Sequence, residues 1–368
     1  MKIGQITLHH VRMRLKTPVS TSFGTIGDKD SVLVEISDAD GTVGWGESPA
    51  FWVPWYSEET IRTVLYIMEE FLIPKLFQGE ITHPRQVSEL FAPVQRNHMA
   101  KAGLESAIWD LYAKRLNLPL ATVLGGTKQR IQVGVVVGIQ STVQETVKIV
   151  ETYLIEGYKR VKLKIKPGQD IQFVKAVCAS FPQLPISVDA NGSYSLADLR
   201  ILCELDQCGL AMIEQPLAAG DLVEHAKLQA MLKTPVCLDE SAATFDDIKN
   251  AAAFVSCKIV SVKMSRLGGI SATIQVNDFC RDRNIPVWCG GMFETGIGRA
   301  HNIALSTLDN FTMPGDLSGS SRYWERDLIK PEVVVNQGEI DVPDQPGIGY
   351  EVDLEQLRKV TLFKKTFR

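Results

Sequence analysis

The sequence predicts an α/β fold, a parallel (β/α)8-type barrel joined to a smaller antiparallel α+β unit. Three observations carry that expectation. Ionisable residues end successive apolar, β-branched runs at a near-constant interval: Lys164, Asp189, Glu214, Asp239 and Lys263 are spaced 25, 25, 25 and 24 residues apart. About 25 residues is room for one short strand, one helix and two loops, and a tandem βα repeat closes most naturally into a barrel whose site is the ring of strand ends at its C-terminal face. Finally, residues 1–126 do not keep this rhythm, and a chain of 368 residues accommodates a barrel of about 250 plus a second unit.

In the first unit, Ile3–Leu15 and Ser31–Ile36 alternate like strands, and Asp40-Gly41 supplies a hairpin turn. Two helices follow. Ser57 is positioned to cap EETIRTVLYIMEEFLIPKLF; in MAKAGLESAIWDLYAKRLN, Ala102, Ala107, Ile108, Leu111 and Tyr112 recur at helical spacing. Two loops, TPVSTSFGTIGDK and SPAFWVPWYSEE, separate these elements, and Phe51, Trp52, Trp55 and Tyr56 crowd the second. Such aromatics either pack the loop onto its own unit or form a lid whose walls exclude water from a neighbouring site.

From Ile131 the repeat begins. IQVGVVVGI reads as a buried strand, and Thr142 with Glu145 forms a capping box for a helix ending before Gly157. In VKLKIKPG, Val161, Leu163 and Ile165 alternate with Lys162, Lys164 and Lys166, so the lysines share one strand face. Alone this reads as a solvated face; the periodic charges that follow favour an active one. Helices are expected from about Asp170 to Phe181, after the cap Ser195, after Asp221, after Thr244 with Asp247, and from Ile270 to Arg283. IPVWCGGM is the next strand and RAHNIALSTL its helix; NFTMPGD offers a weak eighth strand. The tail from about residue 321, with EVVVNQGEI, is expected to pack back on the first unit. The division is therefore 1–126, 127–320 for the barrel, and 321–368.

A net charge of −4 argues against a general nucleic-acid surface. No apolar run approaches the roughly 18 residues of a membrane span. Seven scattered cysteines without a CxxC pair read as reduced core residues of a cytoplasmic protein rather than thiolate zinc ligands.

Three carboxylates at the mouth, without histidine or thiolate, suit a hard cation, Mg²⁺ or Mn²⁺. A substrate carboxylate bound by that metal can accept charge as an enediolate when its α-proton leaves. The base must be neutral, whereas an ordinary lysine has a pKa of about 10.4; Lys162 beside Lys164, and desolvation, would lower it. Lys263, roughly opposite in the ring, is a second acid/base or a fixed positive charge. Arg266 either tunes Lys263 by repulsion or binds phosphate or a surface carboxylate.

KLKIK, VDANGSY, MIEQPL, CLDES and VKMSRLGG, in this order and spacing, resemble the muconate-lactonising subgroup of the enolase superfamily. WGES, VPWYSEET, AGLESAIWDLYAKRL, VWCGGMFETGIGRAHNIAL and SSRYWERD are similar to its o-succinylbenzoate synthase / N-succinylamino acid racemase branch, and the resemblance covers nearly the whole chain. It implies a modified TIM barrel with an N-terminal capping domain, Asp189, Glu214 and Asp239 as Mg²⁺ ligands, and Lys164 and Lys263 as an acid/base pair with Lys162 in support. It implies two capping loops closing over the site, Phe23 and Tyr56 as substrate walls, and Asn191 and Met292 near the reacting end. The implied activity is dehydration of 2-succinyl-6-hydroxy-2,4-cyclohexadiene-1-carboxylate to o-succinylbenzoate in menaquinone biosynthesis, with N-succinylamino acid racemisation at the same site. The partner is a small carboxylate, and the assembly a homo-oligomer. Muconate cycloisomerisation and a non-catalytic carboxylate-binding barrel are the alternatives. Dipeptide epimerases of the superfamily carry an Asp-x-Asp pair after the last strand; MPGDLSGSS has only Asp316, which disfavours a free α-amino substrate.

Overall fold

The structure is a computed structural model describing residues 1–21 and 24–368; Phe23 lies outside the described residues. Two long strands, β1 (Ile3–Thr21) and β2 (Gly24–Asp38), form an antiparallel hairpin, and β3 (Val43–Ser48) follows through the expected turn. Alternation sends Ile6, Leu8, Val34 and Ile36 into one core with the helices of this unit, while Val11, Leu33 and Trp45 join the barrel core. Both faces of the sheet are thus buried. Helix α1 (Ile61–Ile67) runs through a π-helical turn, Met68–Leu72, before Ile73–Leu76; Pro74, which lacks an N–H, ends the regular ladder there. Thr60, not Ser57, caps α1, in a reciprocal box with Thr63. Helix α2 (His98–Arg115) lies directly on β3. A Cβ at Gly44 or Gly46 would stand 2.2 Å from the α2 carbonyl oxygens of Ala107 or Gly103, so the glycines of VGWGES allow that approach.

Seven parallel strands then form one curled sheet in chain order: β4 (Gly134–Val137), β5 (Arg160–Lys164), β6 (Ile186–Asp189), β7 (Met212–Glu214), β8 (Val236–Leu238), β9 (Ile259–Val262) and β10 (Val287–Cys289). Their cross-over helices are α3 (Val143–Ile155), α4 (Ile171–Ser180), α5 (Leu199–Leu205), α6 (Leu222–Met231), α7 (Phe245–Phe254) and α8 (Ile270–Arg281), with α9 (Gly296–Leu305) after β10. Thr142, Ser195, Asp221 and Thr244 cap as expected. The eighth strand does not form among the described residues. NFTMPGD contributes only isolated parallel bridges, Phe311 to Val287 and Gly315 to Val133, across the gap between β10 and β4; Pro314 between them has no donor for a ladder.

The tail divides. Of EVVVNQGEI only Glu339–Ile340 is strand, extending to Asp341, and it pairs with Arg130–Gln132 at the entry to the barrel. The last strand, β11 (Thr361–Phe367), pairs antiparallel with β1 at the edge of its sheet.

Candidate active site

Alternation along β5 aims Arg160, Lys162 and Lys164 into the barrel as a ladder of cations. Lys166 does not continue it: the strand ends at Lys164, and Lys166 is exposed in a turn bridged to Gln169. Arg160, lowest, lies over the Trp288 ring at 4.3 Å and pairs with Asp316 at 2.7 Å. Lys162 contacts three carboxylates, Asp316 at 2.6 Å, Glu214 at 2.9 Å and Asp189 at 3.2 Å. Lys164, at the rim, donates to Asp189 and to Asn191 Oδ1, both at 2.7 Å.

The carboxylates come from adjacent strand ends. Asp189 and Glu214 pair in register, and Asp239 directly follows β8. Lys263 directly follows β9 and donates to Asp239 at 2.8 Å and to the Tyr56 hydroxyl at 2.9 Å. Lys164 and Lys263 therefore stand on the second and sixth barrel strands. Arg266 is buried behind Asp239, bonding that carboxylate, the Tyr56 hydroxyl at 2.7 Å and the Ala242 and Ser261 carbonyls. It is no surface phosphate or carboxylate receptor.

The charges are strongly interdependent. Burial and the adjacent Asp189 push the Glu214 carboxyl up to about 8, even though Lys162 opposes them. Burial, with Asp239 and Asp189 nearby, pushes Glu240 up to about 7. Burial alone would lower Lys162 and Lys263, yet the facing carboxylates, Asp316, Glu214 and Asp189 for the first and Asp239 for the second, hold both above the usual lysine range. Lys162 is thus a fixed positive charge. One of its three carboxylate partners, Asp316, comes from the last barrel segment.

A cavity of about 1050 Å³ is lined by Lys162, Lys164, Asp189, Lys263, Tyr56, Asn191 and Met292, while Glu214 and Asp239 stand behind its wall. Tyr56 reaches it from the aromatic loop of the first unit, so that loop does close on the barrel mouth. Met292 sits in the turn after β10, where Phe293 has a positive φ of 57° and Glu294 accepts the Met292 N–H at 2.9 Å. Arg266 does not line the cavity. Gln215 and Glu240, both inside the motifs MIEQPL and CLDES, were not singled out from the sequence. Gln215 Oε1 accepts the Asp239 and Ser241 N–H groups, each at 3.1 Å, fixing the turn that presents Asp239, and Glu240 accepts from Asn191 at 2.8 Å.

The profile described as "Mandelate racemase / muconate lactonizing enzyme, N-terminal domain" matches residues 3–125, and "Enolase C-terminal domain-like" matches residues 145–357. The chain belongs to the enolase superfamily. It is 53% identical over 367 residues, all of this chain and 98% of the other, to an o-succinylbenzoate synthase of Geobacillus kaustophilus. It is 42% identical to an N-succinylamino acid racemase of Thermus thermophilus, over 99% of each chain. The crystal structure of an enolase superfamily member from Listeria innocua superposes with a TM-score of 0.98 at 43% identity, over 100% of this chain and 99% of that one.

Enzymes of this superfamily use a divalent metal, and the residues fit one. Asp189, Glu214 and Asp239, at adjacent strand ends, would offer it oxygen donors only. Glu214 Oε1, though buried, has no hydrogen-bond partner, and three acids gathered in a dry site require positive charge. Here lysine ammoniums meet that need, and among the described residues no three acidic, histidine or cysteine side chains form a ready cage.

Proposed function

We propose that the protein is an o-succinylbenzoate synthase that also racemises N-succinylamino acids at the same site. One observation carries the reading: Lys164 and Lys263, at the ends of the second and sixth barrel strands, line one cavity and pair with Asp189 and Asp239 respectively. Asp189, Glu214 and Asp239 would hold Mg²⁺ or Mn²⁺, which when bound supplies Lewis acidity to a substrate carboxylate. Lys164 and Lys263 pair here with oxygens of Asp189 and Asp239, two of the proposed ligands; a metal held by those oxygens would compete with both ammoniums, and the amines would then be available for proton transfer. In racemisation one lysine removes the α-proton and the opposite one delivers a proton to the other face. In dehydration one lysine removes the proton α to the carboxylate; the electron pair forms the new ring double bond as the C–OH bond breaks, and the same lysine, now protonated, gives that proton to the leaving hydroxide, which departs as water. The other lysine stabilises the developing negative charge. Lys162 remains a fixed cation beneath. Asp316 is spent on Arg160 and Lys162, which leaves no carboxylate there for a substrate ammonium.

Chloromuconate cycloisomerase of Pseudomonas putida is 27% identical, well below the synthase and racemase relatives. Both lysines are present and directed at the cavity, against a purely binding barrel. The test is to supply 2-succinyl-6-hydroxy-2,4-cyclohexadiene-1-carboxylate, and separately N-succinyl-phenylalanine in D₂O. Both activities should disappear on chelation and return with Mg²⁺ or Mn²⁺, and Glu214→Gln should lose metal affinity with its fold intact. Full turnover by metal-free enzyme would defeat the ligand assignment.

A further inference from the structure

The cavity extends beyond the proposed reacting groups, to α3 and the segment SSRYWERD, where Arg322 lines it. Four cationic side chains line it. Three are ion-paired: Lys162 to Asp316 at 2.6 Å, Lys164 to Asp189 at 2.7 Å, and Lys263 to Asp239 at 2.8 Å. Among the described residues Arg322 has no carboxylate partner. The fully buried arginines all have one: Arg160 with Asp316, Arg266 with Asp239, Arg299 with Asp327. Arg322 spends Nη2 on the Val136 carbonyl at 2.8 Å and Nη1 on the Tyr153 hydroxyl, and its buried Nε has no acceptor. A guanidinium carries five N–H donors, and leaving such a charge largely desolvated without a counter-ion is costly. Glu156 and Glu332 share the cavity lining, but Glu156 is exposed and Glu332 accepts from the Asp327 backbone.

The guanidinium is also held in place. It lies 4.6 Å from the Tyr153 ring centre and 5.9 Å from that of Tyr323. Its short helix is pinned at Ser320, whose N–H donates to the Val333 carbonyl at 2.9 Å and whose Oγ accepts the Val333 N–H at 3.1 Å. A fixed, planar donor fork with unspent N–H groups suits a carboxylate.

We propose that Arg322 is a specificity-determining residue that binds the distal carboxylate of the succinyl arm, while the α-carboxylate is held at the other end of the same cavity. This rests on the proposed function, since both substrate types carry that second carboxylate. It selects dicarboxylates over N-acyl analogues with a neutral arm.

The test uses full-length metal-loaded enzyme. For wild type, Arg322→Lys and Arg322→Met, kcat and KM are measured with N-succinyl-phenylalanine and N-acetyl-phenylalanine, and Kd with o-succinylbenzoate and its distal methyl ester. Arg322→Met should raise KM for the succinyl substrate at least tenfold, with kcat changing less, and shrink the wild-type preference for o-succinylbenzoate over the ester at least tenfold. Arg322→Lys should recover part of both. An equal loss of affinity for acid and ester would make Arg322 only a clasp between β4 and α3 and overturn the inference, as would an undiminished preference in the variant. Wild-type enzyme that exchanges no α-proton of N-succinyl-phenylalanine fails the proposed function itself, a result read before any variant is made.

Discussion

At the scale of single residues, the two rim lysines differ in surroundings although both end barrel strands. Lys164 meets Asp189 and Asn191, while Lys263 is buried with Asp239 and lies 4.4 Å from the Tyr56 ring centre. Each faces the cavity from its own side, so a substrate α-carbon between them shows one face to each. Lys164→Ala and Lys263→Ala should each reduce racemisation at least 10²-fold, the usual size of a general-base contribution. Each variant should still exchange the α-proton of one enantiomer of N-succinyl-phenylalanine in D₂O, and the preferred enantiomers should be opposite. The same preference in both would refute the two-face arrangement. These lysines and the three acids were legible because strand-end position repeats with the βα period. Arg322, Glu240 and Asp316 were not legible as site residues. Their roles come from what other strands and the tail place beside them, and no sequence interval reports that.

Among the elements, the aromatic loop shows how a buried charge can set a lid. Lys29, on β2, directs its ammonium at the chain entering that loop. It donates to the Pro49 carbonyl at 2.8 Å and the Ala50 carbonyl at 3.1 Å, and lies 4.8 Å from the Phe51 ring centre. Phe51 and Tyr56 then line the cavity, while Trp52, half exposed, lies between Arg12 and Arg62. Burial lowers Lys29 to about 8, although Glu47, Glu294 and Asp30 oppose that shift. An unfolded lysine titrates near 10.4, so between these values the unfolded chain holds more protons than the native one, and stability rises with pH. The gain is complete above the unfolded value and lost as pH falls through about 8. Relative to Lys29→Met, wild-type protein should gain stability from pH 8 to 10.5, by roughly 3 kcal/mol in all. A flat difference in denaturation midpoint across that window would show that Lys29 is not the buried charge described. The same variant should raise KM, because the start of the lid loses its anchor. The sequence placed aromatics in this loop but left packing and lid readings open, since Lys29 is twenty residues from the carbonyls it holds.

In the molecule as a whole, the two bodies are joined by carboxylates whose partners lie across the boundary. Glu47 on β3 accepts the Thr295 N–H and hydroxyl and the Gly298 N–H at the start of α9. Asp110 on α2 accepts the Ile348 N–H at 2.7 Å. Glu105, also on α2, accepts the Ile270 N–H at 2.6 Å, the Ser271 N–H at 3.0 Å and the Trp109 indole at 3.0 Å. Helix α8 begins after Gly269, which has no side chain to cap it and a φ of 133°. A Cβ there would stand 2.3 Å from Glu105 Oε2. The cap of a barrel helix is therefore supplied by the other body, in a carboxylate suited to the helix N-terminus. The sequence does not announce this role, because capping rules look only along the chain and this cap arrives from 165 positions away. Glu105→Ala leaves the Ile270 and Ser271 N–H groups without an acceptor, while the Trp109 indole keeps Ser271 Oγ at 3.2 Å, and should cost about 2–4 kcal/mol; Glu105→Gln, keeping one acceptor oxygen, should cost less. If these carboxylates make the bodies one cooperative unit, wild type should unfold in a single denaturant transition, by tryptophan fluorescence and by far-UV circular dichroism alike. Glu105→Ala should then move both signals to the same lower midpoint. Separate transitions in wild-type protein would mean that each body carries its own core and that the shared caps merely orient one on the other.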